Sequence, residues 1–146
     1  EHGAPIRPNG NQHKIEIRIE GVSVPVIGYL DWLYPNEILD LKTTMRVPSE
    51  MSDTHLRAAA VYKTAHFDKR VRYFYVSDKK AAKHTLTRDQ YDLAMLQITH
   101  AAIRMERFLG LSADPHELAA VVPHNSESFY FSDPGTKAKA VAVFGW

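Results

Sequence analysis

The chain has 146 residues, of which 45% are apolar and 24% charged, and its formal charge is +1. These values suit one globular domain, and net charge assigns no partner. The absence of cysteine excludes a disulfide scaffold, a thiolate zinc site, a cysteine nucleophile and an iron–sulfur cluster held by cysteine. No apolar run is long enough to span a membrane and no signal peptide opens the sequence, so we expect a cytoplasmic protein without a membrane partner.

The first part of the sequence predicts three strands. Residues 14–20 alternate between isoleucine and charged residues, as a half-buried strand does. Residues 24–33 are nearly all apolar and predict a second, central strand, and residues 37–44 predict a third. The proline-containing turn at 34–36 should make the second and third strands antiparallel.

Two long helices are predicted after these strands. A helix at 53–66 separates the third strand from a fourth at 70–77, so these two strands should lie parallel. Thr87 and Gln90 have the spacing of a capping box, which opens the longest helix, ending near residue 109. The buried stripe predicted for this helix contains Tyr91, Ala94, Ile98, Ala101, Met105 and Phe108.

The order of these elements predicts an α/β or α+β fold in which helices flank a mixed β-sheet. We expect one domain over residues 1–146, with an N-terminal arm at 1–13 and a C-terminal extension at 111–146. That extension should contain a short helix near residue 116 and another from Pro134.

Positive charge is concentrated in residues 69–88, which contain seven basic residues and one acid, Asp78. A segment of this charge can contact phosphates. It is equally consistent with a solvated hairpin rim, and the two interpretations stay open at this point.

The residues with the clearest chemical potential are Asp31, Asp40 and Lys42. A reversal at 34–36 would bring Asp31 close to Asp40, and Lys42 shares a face with Asp40 because the two residues are two apart in a strand. Buried charges of this kind are unfavourable unless they pair or bind a metal. Two carboxylates, with the backbone carbonyl of Leu41 as a third ligand, suit Mg²⁺ or Mn²⁺, and the ammonium group can orient water.

Two alternatives accompany this interpretation. In the first, Asp31 and Lys42 form a cross-strand ion pair while Asp40 faces solvent. In the second, the chain is a scaffold of an unrelated fold without a metal site.

Three motifs in order carry a resemblance to a known family. The sequence GYLD occupies 28–31, DLKT occupies 40–43, and Tyr62 stands on the helix that follows. This pattern resembles the PD-(D/E)xK nuclease superfamily, in its RecB-like and phage exonuclease branch. The glutamine of the family's helical motif falls at Ala58, so that element is half missing, and Arg57 or His55 would substitute for it.

The resemblance spans about residues 14–110 and implies a restriction-endonuclease-like core with Mg²⁺- or Mn²⁺-dependent DNA nuclease activity. It also implies a role for each matching residue. The residues concerned are Asp31, Asp40 and Lys42 for catalysis, Asp31, Asp40 and Leu41 for the metal, and Thr43, Arg57 and Tyr62 for substrate binding.

The implied activity is that of an exonuclease of phage or mobile-element type, acting on single-stranded DNA or duplex ends in recombination or repair. A structure-specific or nicking endonuclease is the alternative enzyme, and a catalytically weakened DNA-binding module is the alternative without catalysis. The sequence leaves open a homo-oligomer and a longer parent chain. In such nucleases a helix before the first strand supplies an extra metal ligand. Only thirteen residues precede the first strand here, so either that helix lies in an N-terminal region outside this sequence, or His2 or His13 partly replaces it.

Overall fold

The computed structural model describes residues 4–6, 12–121 and 133–144. Within these ranges the chain forms six strands and four helices. The strands are β1 (His13–Ile17), β2 (Val26–Leu30), β3 (Trp32–Leu33), β4 (Glu37–Thr43), β5 (Arg70–Val76) and β6 (Ala81–Thr85), and the helices are α1 (Asp53–Ala65), α2 (Arg88–Leu109), α3 (Pro115–Val121) and α4 (Pro134–Phe144).

A mixed four-stranded sheet forms the centre of the fold, in the order β3-β4-β5-β6. β3 and β4 are antiparallel, as predicted, and the N–H of Tyr34 donates to the carbonyl of Glu37 at 2.8 Å across the turn between them. β4 and β5 are parallel, as predicted, because α1 carries the chain from one to the other. The α+β architecture with a mixed sheet and flanking helices is therefore confirmed.

The strand predicted over 24–33 is divided in two at Asp31. β2, before this residue, pairs with β1 in a separate two-stranded sheet, whereas β3, after it, pairs with β4. The prediction of one continuous strand was wrong because the chain changes partners at Asp31. Its start also differs: β2 begins at Val26, after Pro25, which has no N–H to donate to a ladder.

The main core lies between the four-stranded sheet and α1. Ile38, Val71 and Tyr73 point from β4 and β5 into this core and are at most 2% exposed. Ala59 packs with them from α1, and its small side chain lets the helix approach the sheet closely. Ser52 caps α1 by accepting a hydrogen bond from the N–H of His55 at 3.4 Å.

The capping box at the start of α2 is confirmed. The N–H of Thr87 donates to the side chain of Gln90 at 3.0 Å, and the N–H of Gln90 donates to the Thr87 hydroxyl at 3.3 Å. The predicted stripe is only partly correct, because Ala101 and Met105 are exposed. The buried face is set near the start of α2, where Tyr91 contacts Thr64 of α1 at 3.2 Å.

The chain divides into two compact units, Glu1–Ile103 and Arg104–Trp146. The first contains both sheets and α1, and in the second α3 and α4 contact each other. Among the residues that the structure describes, none of the helices combines the length and apolar character needed to cross a bilayer.

At Gly28, strand β2 packs closely against β1 and α1. A Cβ atom at this position would lie 3.2 Å from Cγ1 of Ile15 and 3.5 Å from Cε1 of Tyr62. We therefore expect Gly28→Ala to lower the free energy of unfolding by about 1 kcal/mol through overpacking. Urea denaturation followed by circular dichroism measures the change.

Gly110→Ala is the matched control, because its Cβ would meet its nearest atoms at 3.5 Å, an ordinary contact. Both substitutions reduce the entropy of the unfolded chain similarly, so the difference between them reports packing in the folded state. Equal stability of the two variants would contradict a close approach at Gly28.

Candidate active site

The centre of the candidate site is the buried carboxylate of Asp40. This residue lies on β4, on the face that α1 covers, and is 2% exposed. Its Oδ1 atom lies 2.5 Å from the Nζ atom of Lys42, which is on the same face of the strand. Among the described residues, no donor reaches Oδ1 with standard hydrogen-bond geometry, so the ammonium group is its main compensation.

Asp31 joins this pair from the point where β2 ends and β3 begins. Its Oδ2 atom accepts a hydrogen bond of 3.4 Å from the N–H of Leu41, the residue between Asp40 and Lys42. Its negative charge also acts on the Asp40 carboxyl. The structure therefore brings together Asp31, Asp40 and Lys42, as predicted.

This arrangement decides against the first alternative for these residues. That interpretation required Asp40 to face solvent while Lys42 paired with Asp31. Asp40 is instead buried, and Lys42 is its ion-pair partner.

The backbone of Leu41 is oriented towards Asp31. Trp32 of β3 pairs with Leu39, so the ladder between β3 and β4 ends two residues before Leu41. In a strand, the N–H and the carbonyl of one residue point to the same side. Because the N–H of Leu41 donates to Asp31, its carbonyl is turned to the same open edge of β4.

The protonation of Asp40 reflects two opposing influences. Burial raises the pKa of its carboxyl above the ordinary value of 3.8, and the charge of Asp31 acts in the same direction. Hydrogen bonding and charge from Lys42 lower this pKa but do not offset burial. The ionised form of Asp40 is therefore held at a cost to the fold.

Tyr62 contacts both Asp40 and the backbone of β2 from the buried side of the site. Its hydroxyl donates to the backbone carbonyl of Tyr29 at 3.1 Å and contacts Oδ2 of Asp40 at 3.4 Å. Burial raises the pKa of Tyr62 to about 12, so at neutral pH the hydroxyl keeps its proton and remains a donor. Tyr62 is 8% exposed and is positioned to hold Asp40 and β2 in place, and its role in substrate binding stays a prediction.

His55 is a further candidate for the active site, although the sequence alone predicted it only as a substitute for the family's missing glutamine. Its Nδ1 atom lies 2.6 Å from the Tyr75 hydroxyl, and its ring stacks on Tyr73 with centroids 5.1 Å apart. The Lys42 ammonium lies 5.5 Å from the centroid of the same Tyr73 ring. Burial and the charge of Lys42 lower the pKa of His55 below 6.5. The signal available in the sequence is its position two turns before Tyr62, on the same face of α1.

The two other residues predicted to bind substrate lie in different surroundings. Thr43 is exposed and lines a cleft of about 480 Å³ together with Lys42, His55 and Tyr75. Arg57 instead donates a hydrogen bond to the side chain of Gln97 on α2, at 3.3 Å.

The structure describes His13, one of the two histidines expected to replace a missing metal ligand, and shows it engaged by the backbone. The Nε2 atom of His13 contacts the carbonyl of Ile6 at 2.7 Å. His2 lies outside the described residues.

The basic segment at 69–88 presents less positive charge than its composition indicates. Lys69 donates to the carbonyl of Pro35 at 2.7 Å, and Arg72 forms an ion pair with the buried Glu37 at 2.9 Å. Both residues therefore support the fold. The basic residues of strand β5, the hairpin turn and β6 that remain exposed are Arg70, Lys79, Lys80 and Lys83.

The donors at the site fit one class of metal. Within the described part of the chain, His, Cys, Asp and Glu side chains form no cluster of three or more that could hold a metal ion. The available ligands are the carboxylates of Asp31 and Asp40 and the carbonyl of Leu41. This set suits Mg²⁺ or Mn²⁺, which bind through one or two carboxylates and take further oxygens from water and phosphate.

Comparisons with known proteins assign no family. No protein-family model matches the chain, and no curated protein matches it. Among solved structures, the crystal structure of SSO0001 is similar with a TM-score of 0.48 and 12% identity, over 75% of this chain and 54% of that one. The chain thus spans about half the length of that structure. A similarity of this size does not define a shared fold.

Replacing Asp40 tests the cost of its buried charge. We expect Asp40→Asn to raise the free energy of unfolding of the metal-free protein at pH 7, because burial raises the pKa of the Asp40 carboxyl and its charged form therefore opposes folding. Lys42, which is 35% exposed, can be hydrated when its partner is neutral. Chemical denaturation in a metal chelator gives the difference.

The sign of the pH dependence follows from the raised pKa. Above the folded-state pKa the charged carboxyl opposes folding, and below the ordinary value of 3.8 it is protonated in both states. The advantage of Asp40→Asn should therefore shrink as pH falls through that interval. Asp92→Asn, at an exposed ion pair, is the control and should show no comparable gain. If Asp40→Asn were less stable than the wild type at pH 7, the charge of Asp40 would not be unfavourable for folding, and this interpretation would be wrong.

Proposed function

We propose that this chain is a Mg²⁺- or Mn²⁺-dependent deoxyribonuclease with a restriction-endonuclease-like core. The observation that carries the proposal is the buried carboxylate of Asp40, which shares one site with Asp31 and Lys42. A buried acid retained at a cost to stability is typical of a functional site. The order of motifs in the sequence resembles that of nucleases and supports phosphodiester hydrolysis as the chemistry.

The strand arrangement supports the restriction-endonuclease-like core. Asp31 precedes β3, Asp40 and Lys42 belong to β4, and α1 crosses to the parallel strand β5. This is the order of elements that the sequence resemblance implies. The chain's mixed sheet and the helix carrying Tyr62 agree with it.

In the proposed mechanism, Asp31, Asp40 and the Leu41 carbonyl would hold a divalent cation. A bound divalent cation would supply positive charge that polarises the scissile phosphate. Lys42 orients a water molecule, whose oxygen forms a new bond to phosphorus while one P–O bond of the backbone breaks. The attacking water gives up a proton to solvent, and the leaving oxygen takes one up from solvent. Its ammonium also stabilises negative charge on the phosphate. Tyr62 fixes Asp40 through its hydroxyl and is a positioning residue.

We favour an exonuclease of phage or mobile-element type in the cytoplasm, acting on single-stranded DNA or duplex ends. This preference rests on the branch of the superfamily that the motifs resemble. The alternative with a specific observation in its favour is a DNA-binding module, because Ala58 occupies the position of the family's glutamine on α1.

The first test is DNA cleavage in Mn²⁺ or Mg²⁺. We expect wild-type protein to degrade linear duplex or single-stranded DNA. Lys42→Ala and Asp40→Asn should each reduce the rate by about 100-fold or more, because the first removes positive charge beside the reacting phosphate and the second removes a proposed metal ligand. Gel analysis of end-labelled substrates measures the rate. Lys14→Ala is the matched control, since Lys14 also pairs with an acid, Glu16, two residues away but on an exposed surface.

The substrates separate the candidate functions. An exonuclease leaves closed circular DNA intact, whereas an endonuclease or nicking enzyme cuts it. Binding of DNA without cleavage of any substrate would establish the binding module instead. Unchanged rates in Lys42→Ala and Asp40→Asn would overturn the assigned site.

The second test is stabilisation by the metal itself. A cation that binds only the folded state raises the free energy of unfolding by about 2.7 kcal/mol at one hundred times its dissociation constant. We expect Mn²⁺ to raise the melting temperature of the wild type but not of Asp31→Asn/Asp40→Asn. Asp92→Asn should respond like the wild type. An equal response of the double variant would show that Mn²⁺ binds elsewhere.

A further inference from the structure

Met45 is an apolar side chain held almost wholly in solvent beside the candidate active site. It is 99% exposed and lies three residues after Lys42, in the loop that leaves β4. Three residues of extended chain span at most about 10 Å, roughly the rise of three nucleotides along a DNA strand. Met45 is therefore within a few nucleotides of any phosphate bound at Lys42.

The loop that carries Met45 is tied down on both sides of it. The Thr44 hydroxyl donates to the carbonyl of Arg46 at 3.0 Å and accepts from the N–H of Arg46 at 3.3 Å. The N–H of Thr44 also donates to the carbonyl of Val76 at 2.9 Å, which extends the pairing between β4 and β5. These bonds limit the loop's ability to fold Met45 back against the protein.

Met45 forms one wall of an open cleft of about 730 Å³, and the hairpin turn containing Lys79 forms another. The Ser77 hydroxyl fixes this turn by accepting from the N–H groups of Lys79 at 3.2 Å and Lys80 at 3.1 Å. Thr43 lines both this cleft and the one that contains Lys42 and His55. The two clefts therefore meet at the end of β4.

The charges around Met45 suit a polyanion. Arg46 follows it directly, and Lys79 and Lys80 are exposed on the hairpin turn, with Asp78 as the acidic residue among them. Cations bind the phosphates of nucleic acid, whereas an apolar side chain has no favourable partner there. The bases are the apolar part of DNA, and Met is among the residues that proteins insert between base steps.

We propose that Met45 is a wedge that packs against the unstacked bases at a DNA end. This inference rests on the proposed nuclease function and narrows its substrate to duplex ends that are opened at the active site. Lys79, Lys80 and Arg46 bind the backbone, and the wedge replaces the stacking that the terminal base pair loses. One strand then passes along the end of β4 to Lys42.

Fluorescence of a base analogue tests the wedge without any cleavage. Duplexes carry 2-aminopurine at the penultimate position of one end, and the full chain is added in a metal chelator. We expect wild type and Met45→Leu to increase the fluorescence because the base unstacks, and Met45→Ser to bind the duplex without the increase. Phe67→Ser is the matched control, because Phe67 is 81% exposed at the far end of α1.

Cleavage rates give a second readout. Unstacking a base step costs a few kcal/mol, so we expect Met45→Ser to slow degradation of blunt duplex by about tenfold or more. Single-stranded DNA of the same sequence needs no opening, and its rate should not change. Met45→Leu and Phe67→Ser should match the wild type on both substrates.

Several outcomes would overturn the wedge. These are an equal loss on duplex and single strand, fluorescence that increases with Met45→Ser, and a change of oligomeric state in Met45→Ser by sedimentation, which would make Met45 a contact between copies of the chain. If the wild type cleaves no substrate, the proposed nuclease fails, and the fluorescence experiment still decides whether Met45 unstacks a DNA end.

Discussion

The carboxyl group of Asp40 lies where the fold would otherwise place an apolar side chain, between a central strand and the helix that covers it. Losing hydration there is unfavourable, and the surrounding residues offset only part of the loss. Lys42 supplies the opposite charge at 2.5 Å, and Tyr62 supplies a hydroxyl at 3.4 Å. A bound cation would offset the rest of this unfavourable free energy. The stability of the core and the proposed chemistry therefore depend on the same group.

Several features of the fold place other residues next to the Asp40 carboxyl group. The chain leaves the β1–β2 sheet at Asp31 and enters the sheet of β4 immediately afterwards, so the second carboxylate stands at the junction. Tyr62 reaches both β2 and β4 from α1, and the absence of a side chain at Gly28 lets Ile15 of β1 pack closely against β2. The fold thus holds the carboxyl groups of Asp31 and Asp40 close together, although two negative charges repel each other.

Local patterns predicted the elements well because each depends on neighbours in the sequence. Alternation identified β1 and β5, the turn at 34–36 set β3 antiparallel to β4, and the crossover helix made β4 and β5 parallel. The continuous apolar run at 24–33 led to the wrong prediction of a single strand. Apolar residues indicate that a strand is buried, but they do not indicate which strand it pairs with. The stripe along α2 failed at Ala101 for a similar reason: spacing defines a face, and packing decides how much of it is covered.

The sequence by itself determined which residues could form the site, since strand periodicity puts Asp40 and Lys42 on one face and the turn brings Asp31 near them. Only the tertiary structure decided that Asp40 is buried, that Lys42 pairs with it, that Tyr62 points inward and that Met45 points outward. Burial and pairing depend on residues distant in the chain. Helix α1 excludes water from one face of the sheet, and no local pattern in β4 encodes where that helix lies.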